Sequence, residues 1–209
     1  MKPAIKHIEQ WQPHPTPLTA ANDNRKAPLI GITGKRNVGK STAARMLNRE
    51  WGFKVVHAFD GGKSAANQLF WYMTGDIDKA NAMVYGDLKD KPCPELPGGV
   101  APRYFLEKFG KFMGVDMGVE WTLGMEISRA RRNDRGKPIV VESLVYESDW
   151  FKRAGGVVIR LERPYFYGPA GVESDSVQAL VEADYTICAA TVDEMLAKVR
   201  RAVLEICGA

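Results

Sequence analysis

The chain has 209 residues and a net charge of +4, and 45% of its residues are hydrophobic, which suits one domain with a small insert or tail. Its three cysteines form no Cys-x-x-Cys pair and two of its three histidines precede residue 15, which argues against a disulfide framework, a zinc site and a Ser-His-Asp triad. No apolar run approaches the roughly 18 residues that span a membrane, so we expect a cytoplasmic protein without a membrane partner.

Residues 1 to about 27 differ in composition from the rest of the chain. Four prolines interrupt them, and the polar segment "AANDNRKAP" follows. This composition predicts a flexible tail. An arm that contacts a partner or nucleic acid is the alternative, since the mildly basic charge permits such a partner without requiring one. A homodimer is compatible with the sequence. We expect residues 28–209 to form the folded domain.

Five short apolar runs predict five strands. In chain order they are "LIGIT", "KVVHAF", "PIVVESLV", "GVVIRLERP" and "ADYTICA". Apolar residues at helical spacing lie between them, and Thr191 with Glu194 forms a Thr-x-x-Glu capping box before the last helix. Strands that alternate with helices predict an α/β fold with a doubly wound, five-stranded parallel sheet.

Four apolar stripes define the predicted helices most clearly. The expected buried faces are Ala65, Leu69 and Met73; Phe105, Leu106, Phe109, Phe112 and Met113; Trp121, Met125 and Ser128; and Val192, Leu196, Val199, Val203 and Ile206. We expect "DLKDKPCPELPGGVAP" to be a long irregular loop, because it is rich in proline and glycine.

The segment from Gly34 to Ser41 fits the pattern G-x-x-x-x-G-K-[ST]. A strand precedes it and an amphipathic helix follows, which is the context of a P-loop. Glycines let the loop turn its N–H groups toward phosphate oxygens, and the helix N-terminus adds positive potential. The pattern predicts a P-loop NTPase fold that binds ATP and Mg²⁺. The predicted phosphate-binding residues are Gly34, Lys35, Arg36, Asn37, Val38, Gly39, Lys40, Ser41 and Thr42.

The remaining signals favour a small-molecule kinase. The sequence has no Asn-Lys-x-Asp motif of a GTPase, and the chain is short for a motor or helicase. Kinases of this size neutralise charge on the transferred phosphoryl group with Lys and Arg. Lys40 is the predicted catalytic lysine. Ser41, together with Glu142 acting through water, is the predicted Mg²⁺ site, although Glu142 could instead only cap a strand end.

Acceptor residues are predicted from their positions beside the P-loop strand and at a helix start. Asp60 follows the second strand, where it could accept a proton from the acceptor, hold the acceptor, or hold Mg²⁺ through water. The alternative is that Asp60 only forms a turn before Gly-Gly. Lys63 could meet a phosphate, and Arg103 opposes the dipole of the helix that it starts. A helical acceptor-binding insert is predicted over about 63–132; it would contain Lys63 and Arg103 and begin just after Asp60.

Two arginines are candidates for a lid over ATP. Arg131 belongs to the "RARRNDRG" run, which could equally be a solvated helix end. Arg163 begins a lid-like loop over about 163–176, in which glycines could act as hinges.

The chain resembles phage deoxynucleoside monophosphate kinases over about residues 29–205. The resemblance rests on the P-loop, on "APRYFLEKFGKFMGVDMGVEW" with Arg103 and Trp121, on "KRAGGVVIRLERP", and on the order of these motifs. It implies a nucleoside monophosphate kinase-like fold in which Arg103 contacts the acceptor. The stretch that begins at Glu142, "ESLVYES", keeps an acid but lacks the arginine of the family's Asp-x-Arg segment. The segment Val172–Asp175 lacks the histidine of the family's His-x-Ser/Thr-Glu segment.

These observations predict an enzyme that converts a dNMP to a dNDP in deoxynucleotide metabolism of a bacteriophage. The differences from the family, together with Asp60 as a base, favour one alternative, a P-loop kinase that phosphorylates the hydroxymethyl group of a modified pyrimidine such as 5-hydroxymethyluracil in phage DNA. A nucleotide-binding regulator without turnover is a further alternative.

Overall fold

Five parallel strands form one sheet in the order β2-β3-β1-β4-β5. The computed structural model describes residues 27–167, 178 and 180–208, so the predicted N-terminal tail lies almost wholly outside the described residues. The strands are β1 (Leu29–Thr33), β2 (Lys54–His57), β3 (Ile139–Glu142), β4 (Val157–Glu162) and β5 (Tyr185–Cys188). Each of the five predicted strands is confirmed.

Helices cover both faces of the sheet. The helix α1 (Lys40–Trp51) and the C-terminal helix, here α7 (Val192–Cys207), pack with Ile30 and Ile32 of β1 in one apolar core. On the other face, Gly31 lies so close to Leu144 and Phe151 that a Cβ there would be 2.9 Å from each side chain. Phe151 belongs to α6 (Ser148–Arg153). The predicted doubly wound α/β fold is therefore confirmed.

The chain divides into two compact units. The sheet unit comprises residues up to 58 and from 127 onward, and the second unit is Phe59–Glu126. The second unit contains α2 (Asp60–Thr74), α3 (Ile77–Tyr85), α4 (Pro102–Lys111) and most of the segment that leads into α5 (Met125–Asn133). The insert predicted over about 63–132 overlaps this unit.

The second unit has its own apolar core, formed by buried residues that include Phe70, Met83, Val84, Leu96 and Leu106. In α2 the predicted helix is correct and its predicted face is wrong: Ala66 and Phe70 are buried, whereas Leu69 is 40% exposed. Gly62 completes the buried face, because its missing side chain admits the ring of Phe59.

Two π-helical turns follow α4, at Phe112–Asp116 and Glu120–Gly124. They have one more residue between hydrogen-bonded groups than an α-helix, which changes the phase of the side chains. The predicted face of Trp121 and Met125 is consequently exposed, and Leu123 and Ile127 are buried instead.

The capping box before α7 takes a modified form. The hydroxyl of Thr191 accepts a hydrogen bond from the backbone N–H of Glu194, and the Glu194 carboxylate accepts one from the N–H of Ala190 rather than of Thr191. Along α7, Val199 and Val203 are buried as predicted, whereas Val192 is 44% exposed.

Candidate functional site

The loop between β1 and α1 has the backbone conformation that its glycines allow. Gly34 has a φ of 131° and Gly39 a φ of 117°, values that side chains rarely permit. A Cβ at Gly34 would lie 2.4 Å from the carbonyl oxygen of Leu161, and one at Gly39 would lie 2.8 Å from the sulfur of Met195. Both positions therefore favour glycine for conformational reasons, and Gly34 needs it for a steric reason as well, because its close contact is with backbone rather than with the end of a flexible side chain.

Lys40 is folded back into this loop. Its ammonium Nζ donates hydrogen bonds to the carbonyl oxygens of Gly34 at 2.6 Å and of Lys35 at 2.9 Å, and the residue is only 8% exposed. Lys40 is also the first residue of α1, whose first turn contains no acidic residue. The positive charge and the positive end of the helix dipole thus act at the same place.

A cavity of about 370 Å³ opens beside the loop. It is lined by one residue that follows β3 and by six residues of the loop and the first turn of α1: Ser143, Arg36, Asn37, Gly39, Lys40, Ser41 and Thr42. Among the described residues, Arg36 has a buried Nε without a hydrogen-bond partner. Arg36 and Lys40 bring two positive charges to the lining of the cavity, which suits an anionic group such as a phosphate.

The predicted Mg²⁺ residues have the donor chemistry that this ion prefers. Ser41 supplies a hydroxyl in the cavity wall. Glu142 ends β3 in register with Ile32 of β1, two residues before Gly34, and with His57 of β2. Hydroxyl and carboxylate oxygens suit Mg²⁺, which usually keeps several waters. These two side chains would therefore fit the ion, Ser41 directly and Glu142 through water.

The segment after β3 holds two polar residues that the sequence analysis did not single out. Ser143 has a φ of 60° and lines the cavity. Glu147 is buried, and its carboxylate accepts a hydrogen bond from the N–H of Val145 at 3.1 Å. Burial raises the pKa of the Glu147 carboxyl above its ordinary value. The sequence indicated Ser143 only by its position directly after Glu142, and it did not indicate Glu147.

The two lid candidates differ in their surroundings. Arg131 is exposed in the last turn of α5. Arg163 follows β4 and lies over the ring of Phe166, 5.5 Å from its centroid, and Phe166 packs against the sheet core. One residue further on, Tyr167 lies 5.8 Å from Nζ of Lys35 in the P-loop. The rest of the predicted lid-like loop, including Val172–Asp175, lies outside the described residues.

The predicted acceptor residues all lie in the second unit. Asp60 begins α2, and its carboxylate is 3.4 Å from Nζ of Lys63 one turn later. Arg103 lies in the first turn of α4, where its guanidinium forms a two-pronged ion pair with Asp90; the bond from Nη2 is 2.8 Å. Lys63 and Arg103 are 17% and 25% exposed in this arrangement.

A third cation, Lys89, joins Lys63 and Arg103. Its carbonyl oxygen accepts a hydrogen bond from the N–H of Arg103 at 2.9 Å, and its own side chain is half-buried. Burial, the charge of Arg103 and the charge of Lys63, in that order, lower the pKa of Lys89. The sequence analysis missed this residue because its loop has no periodicity that would indicate where the side chain lies.

Comparisons with known proteins found no matching family model and no matching curated protein. Among solved structures, the crystal structure of TT1252 from Thermus thermophilus is similar at 19% identity and a TM-score of 0.45, covering 86% of this chain and 98% of that one. A likeness at this level carries no functional argument. The resemblance to phage deoxynucleoside monophosphate kinases therefore stays a prediction.

No helix in the described part of the chain is long and apolar enough to cross a membrane. The three cysteines are all free thiols, with Cys93 buried and Cys188 exposed.

Proposed function

We propose that the chain is an ATP- and Mg²⁺-dependent phosphotransferase of the cytoplasm that converts a deoxynucleoside monophosphate to its diphosphate. The observation that carries the proposal is Lys40, whose ammonium is held against the carbonyls of Gly34 and Lys35 at the start of α1. A buried cation inside a glycine loop, at a helix N-terminus and beside a cavity, is suited to a polyphosphate.

In the proposed reaction the P-loop fixes the donor. Backbone N–H groups of the loop hold the β-phosphate, while Lys40 neutralises charge on the γ-phosphoryl group as it moves. Ser41 directly and Glu142 through water would hold Mg²⁺, which would supply positive charge to the donor phosphates. An acceptor phosphate oxygen forms the new bond to the γ-phosphorus, the bond between the γ-phosphorus and the β,γ-bridging oxygen breaks, and ADP leaves.

An alcohol acceptor is the second candidate, and Asp60 is the observation that favours it. Its carboxylate is about half exposed at the start of α2, where it could take the proton of a hydroxyl group. A phosphate acceptor is already an anion at neutral pH and needs no such base. The hydroxymethyl group of a modified pyrimidine in DNA would be an acceptor of this kind.

The test is a transfer assay with γ-labelled ATP and two sets of acceptors, the deoxynucleoside monophosphates and DNA that contains 5-hydroxymethyluracil. Label in the monophosphates alone supports the proposal, and label in DNA alone replaces it with the second candidate. Asp60→Asn should spare transfer to a phosphate but reduce transfer to an alcohol by about 10²-fold or more. Asp149→Asn, at an exposed position of α6, is the matched control. Nucleotide binding without transfer to any acceptor would indicate a regulator.

A further inference from the structure

The residue directly after β3 has a backbone conformation that side chains disfavour. Ser143 has a φ of 60°, in the left-handed region that glycine enters freely and that serine rarely occupies. A conformation of this kind persists only where the surrounding structure imposes it, and such residues cluster at binding and catalytic sites. The strain at Ser143 is therefore a reason to look for a function of this residue.

Hydrogen bonds to β1 hold the backbone around Ser143 in place. The strands β3 and β1 pair up to the residue before it. On its other side, the N–H of Leu144 donates to the carbonyl of Ile32 at 3.0 Å, and the hydroxyl of Thr33 donates to the carbonyl of Leu144 at 2.8 Å. Leu144 and Thr33 are fully buried. Because Thr33 directly precedes Gly34, these bonds fix Ser143 relative to the P-loop.

Ser143 and the P-loop line the same cavity, of about 370 Å³. Six of its lining residues belong to the loop and to the first turn of α1, and Ser143 reaches it from β3. In a P-loop the backbone N–H groups enclose the inner phosphates, and the lysine extends to the γ-phosphate. A residue that reaches the cavity from another strand therefore lies where it can meet the phosphate that the loop does not enclose. A serine hydroxyl can donate one hydrogen bond to such an oxygen.

We infer that the hydroxyl of Ser143 donates a hydrogen bond to an oxygen of the γ-phosphoryl group, and that Ser143 makes the site prefer a nucleoside triphosphate to a diphosphate. The inference rests on the proposed function and deepens it, because it assigns recognition of the transferred group to a residue outside the P-loop. ADP has no γ-phosphoryl group and gains nothing from this contact. Transfer therefore removes one of the contacts that retain the nucleotide, which favours the release of ADP.

The experiment compares Ser143→Ala with Ser128→Ala. Ser128 is the matched control because it is a serine at an exposed position of α5 and does not line the cavity. Calorimetric titration measures the affinity for ADP and for an ATP analogue with nitrogen in the β,γ-bridge, both with Mg²⁺, and a transfer assay measures kcat/KM for ATP. We expect Ser143→Ala to weaken analogue binding and to lower kcat/KM by about 10- to 100-fold. Its affinity for ADP, and all values for Ser128→Ala, should stay within about twofold of wild type.

Ser143→Gly separates the hydroxyl group from the backbone strain. Glycine adopts a φ of 60° without steric cost, so this variant should unfold at a urea concentration at least as high as that of Ser143→Ala. It should lose analogue affinity to the same extent, because it too lacks the hydroxyl group. Wild-type affinity for the analogue in Ser143→Gly would show that the backbone alone matters and would overturn the inference.

The outcomes separate this inference from the proposed function. Analogue affinity that is unchanged in Ser143→Ala overturns the inference even where transfer is found, and so does an equal loss of affinity for the analogue and for ADP. A selective loss of analogue affinity, in a wild-type chain that transfers phosphate to no acceptor, supports the γ-phosphate contact and overturns the proposed function. A wild-type chain that binds neither nucleotide overturns both.

Discussion

Gly34→Ala tests whether the P-loop requires the conformation in which it is found. The residue has a φ of 131°, and a Cβ would lie 2.4 Å from the carbonyl oxygen of Leu161 and 3.2 Å from a methyl group of Val38. Real Cβ contacts stay above 3.0 Å, so the loop or the end of β4 must move by at least the difference between 3.0 and 2.4 Å, which is 0.6 Å.

The magnitude follows from two terms. An alanine at this φ costs about 1–3 kcal/mol of folding free energy. If the loop positions phosphates as proposed, a displacement of this size should reduce phosphoryl transfer by about 10²-fold, since misplacements near 1 Å have such effects in enzymes. We therefore expect a lower unfolding midpoint, a weaker affinity for ATP and a loss of transfer that corresponds to about 2.7 kcal/mol of barrier height, which is similar in size to the loss of stability.

The matched control is Gly52→Ala. Gly52 also has a positive φ, 70°, where it ends α1, but nothing lies within 4 Å of a Cβ built there. This variant should lose about 1 kcal/mol of stability and keep the activity of the wild type. Urea denaturation and titration of ATP measure the two effects. Gly34→Ala with wild-type ATP affinity would refute the reasoning about the loop.

Three further predictions concern stability. Burial raises the pKa of the Glu147 carboxyl above its ordinary value of 4.5, so the folded protein loses stability as the pH rises above 4.5 and this carboxyl ionises. Glu147→Gln should therefore unfold at a higher denaturant concentration than the wild type at pH 7, and it should show no gain at pH 4. Arg200 donates two hydrogen bonds, of 2.7 and 2.8 Å, to the Glu50 carboxylate and lowers the pKa of Glu50. Arg200→Met should lower the free energy of unfolding by about 1–2 kcal/mol near pH 7, and this difference from the wild type should disappear as acid protonates Glu50. A difference that does not change with pH would contradict the stabilising role of this ion pair. Thr191→Val removes the hydroxyl that accepts from the N–H of Glu194 and should cost about 1 kcal/mol, measured by thermal unfolding, whereas an unchanged Tm would show that the cap does not contribute.

The strands and the P-loop could be predicted because their signals are local. A strand buried on both faces is a continuous apolar run, as in β1 and β3. The loop from Gly34 to Ser41 is likewise defined by residues that act on their own backbone. These parts of the fold depend little on distant contacts.

The helix faces of the second unit could not be predicted in the same way. In α2 the apolar residues Leu69 and Trp71 are both more than a third exposed, and the buried face uses Gly62, which periodicity does not count as apolar. The nine-residue helix α3 was not predicted. Its signal was Asp76, whose side chain accepts from the N–H groups of Asp78 and Lys79.

The positions of the cations in the second unit could be predicted only in part, for a physical reason. Lys63 and Arg103 lie in the first turns of helices, and the pattern around each indicated its position. Lys89 lies in an irregular loop whose path depends on hydrogen bonds to distant residues, such as those between the N–H of Cys93 and the carbonyls of Gly99 and Val100. A local pattern therefore could not show that Lys89 joins the other cations.

The central claim is that Lys40 acts on the phosphoryl group that moves from ATP to the acceptor. The most direct measurement is the rate of transfer from γ-labelled ATP by wild type and by Lys40→Ala, with Arg45→Ala, at an exposed position of α1, as the control. The account predicts a loss of at least about 10²-fold for Lys40→Ala and none for Arg45→Ala. Equal rates for Lys40→Ala and the wild type would contradict it.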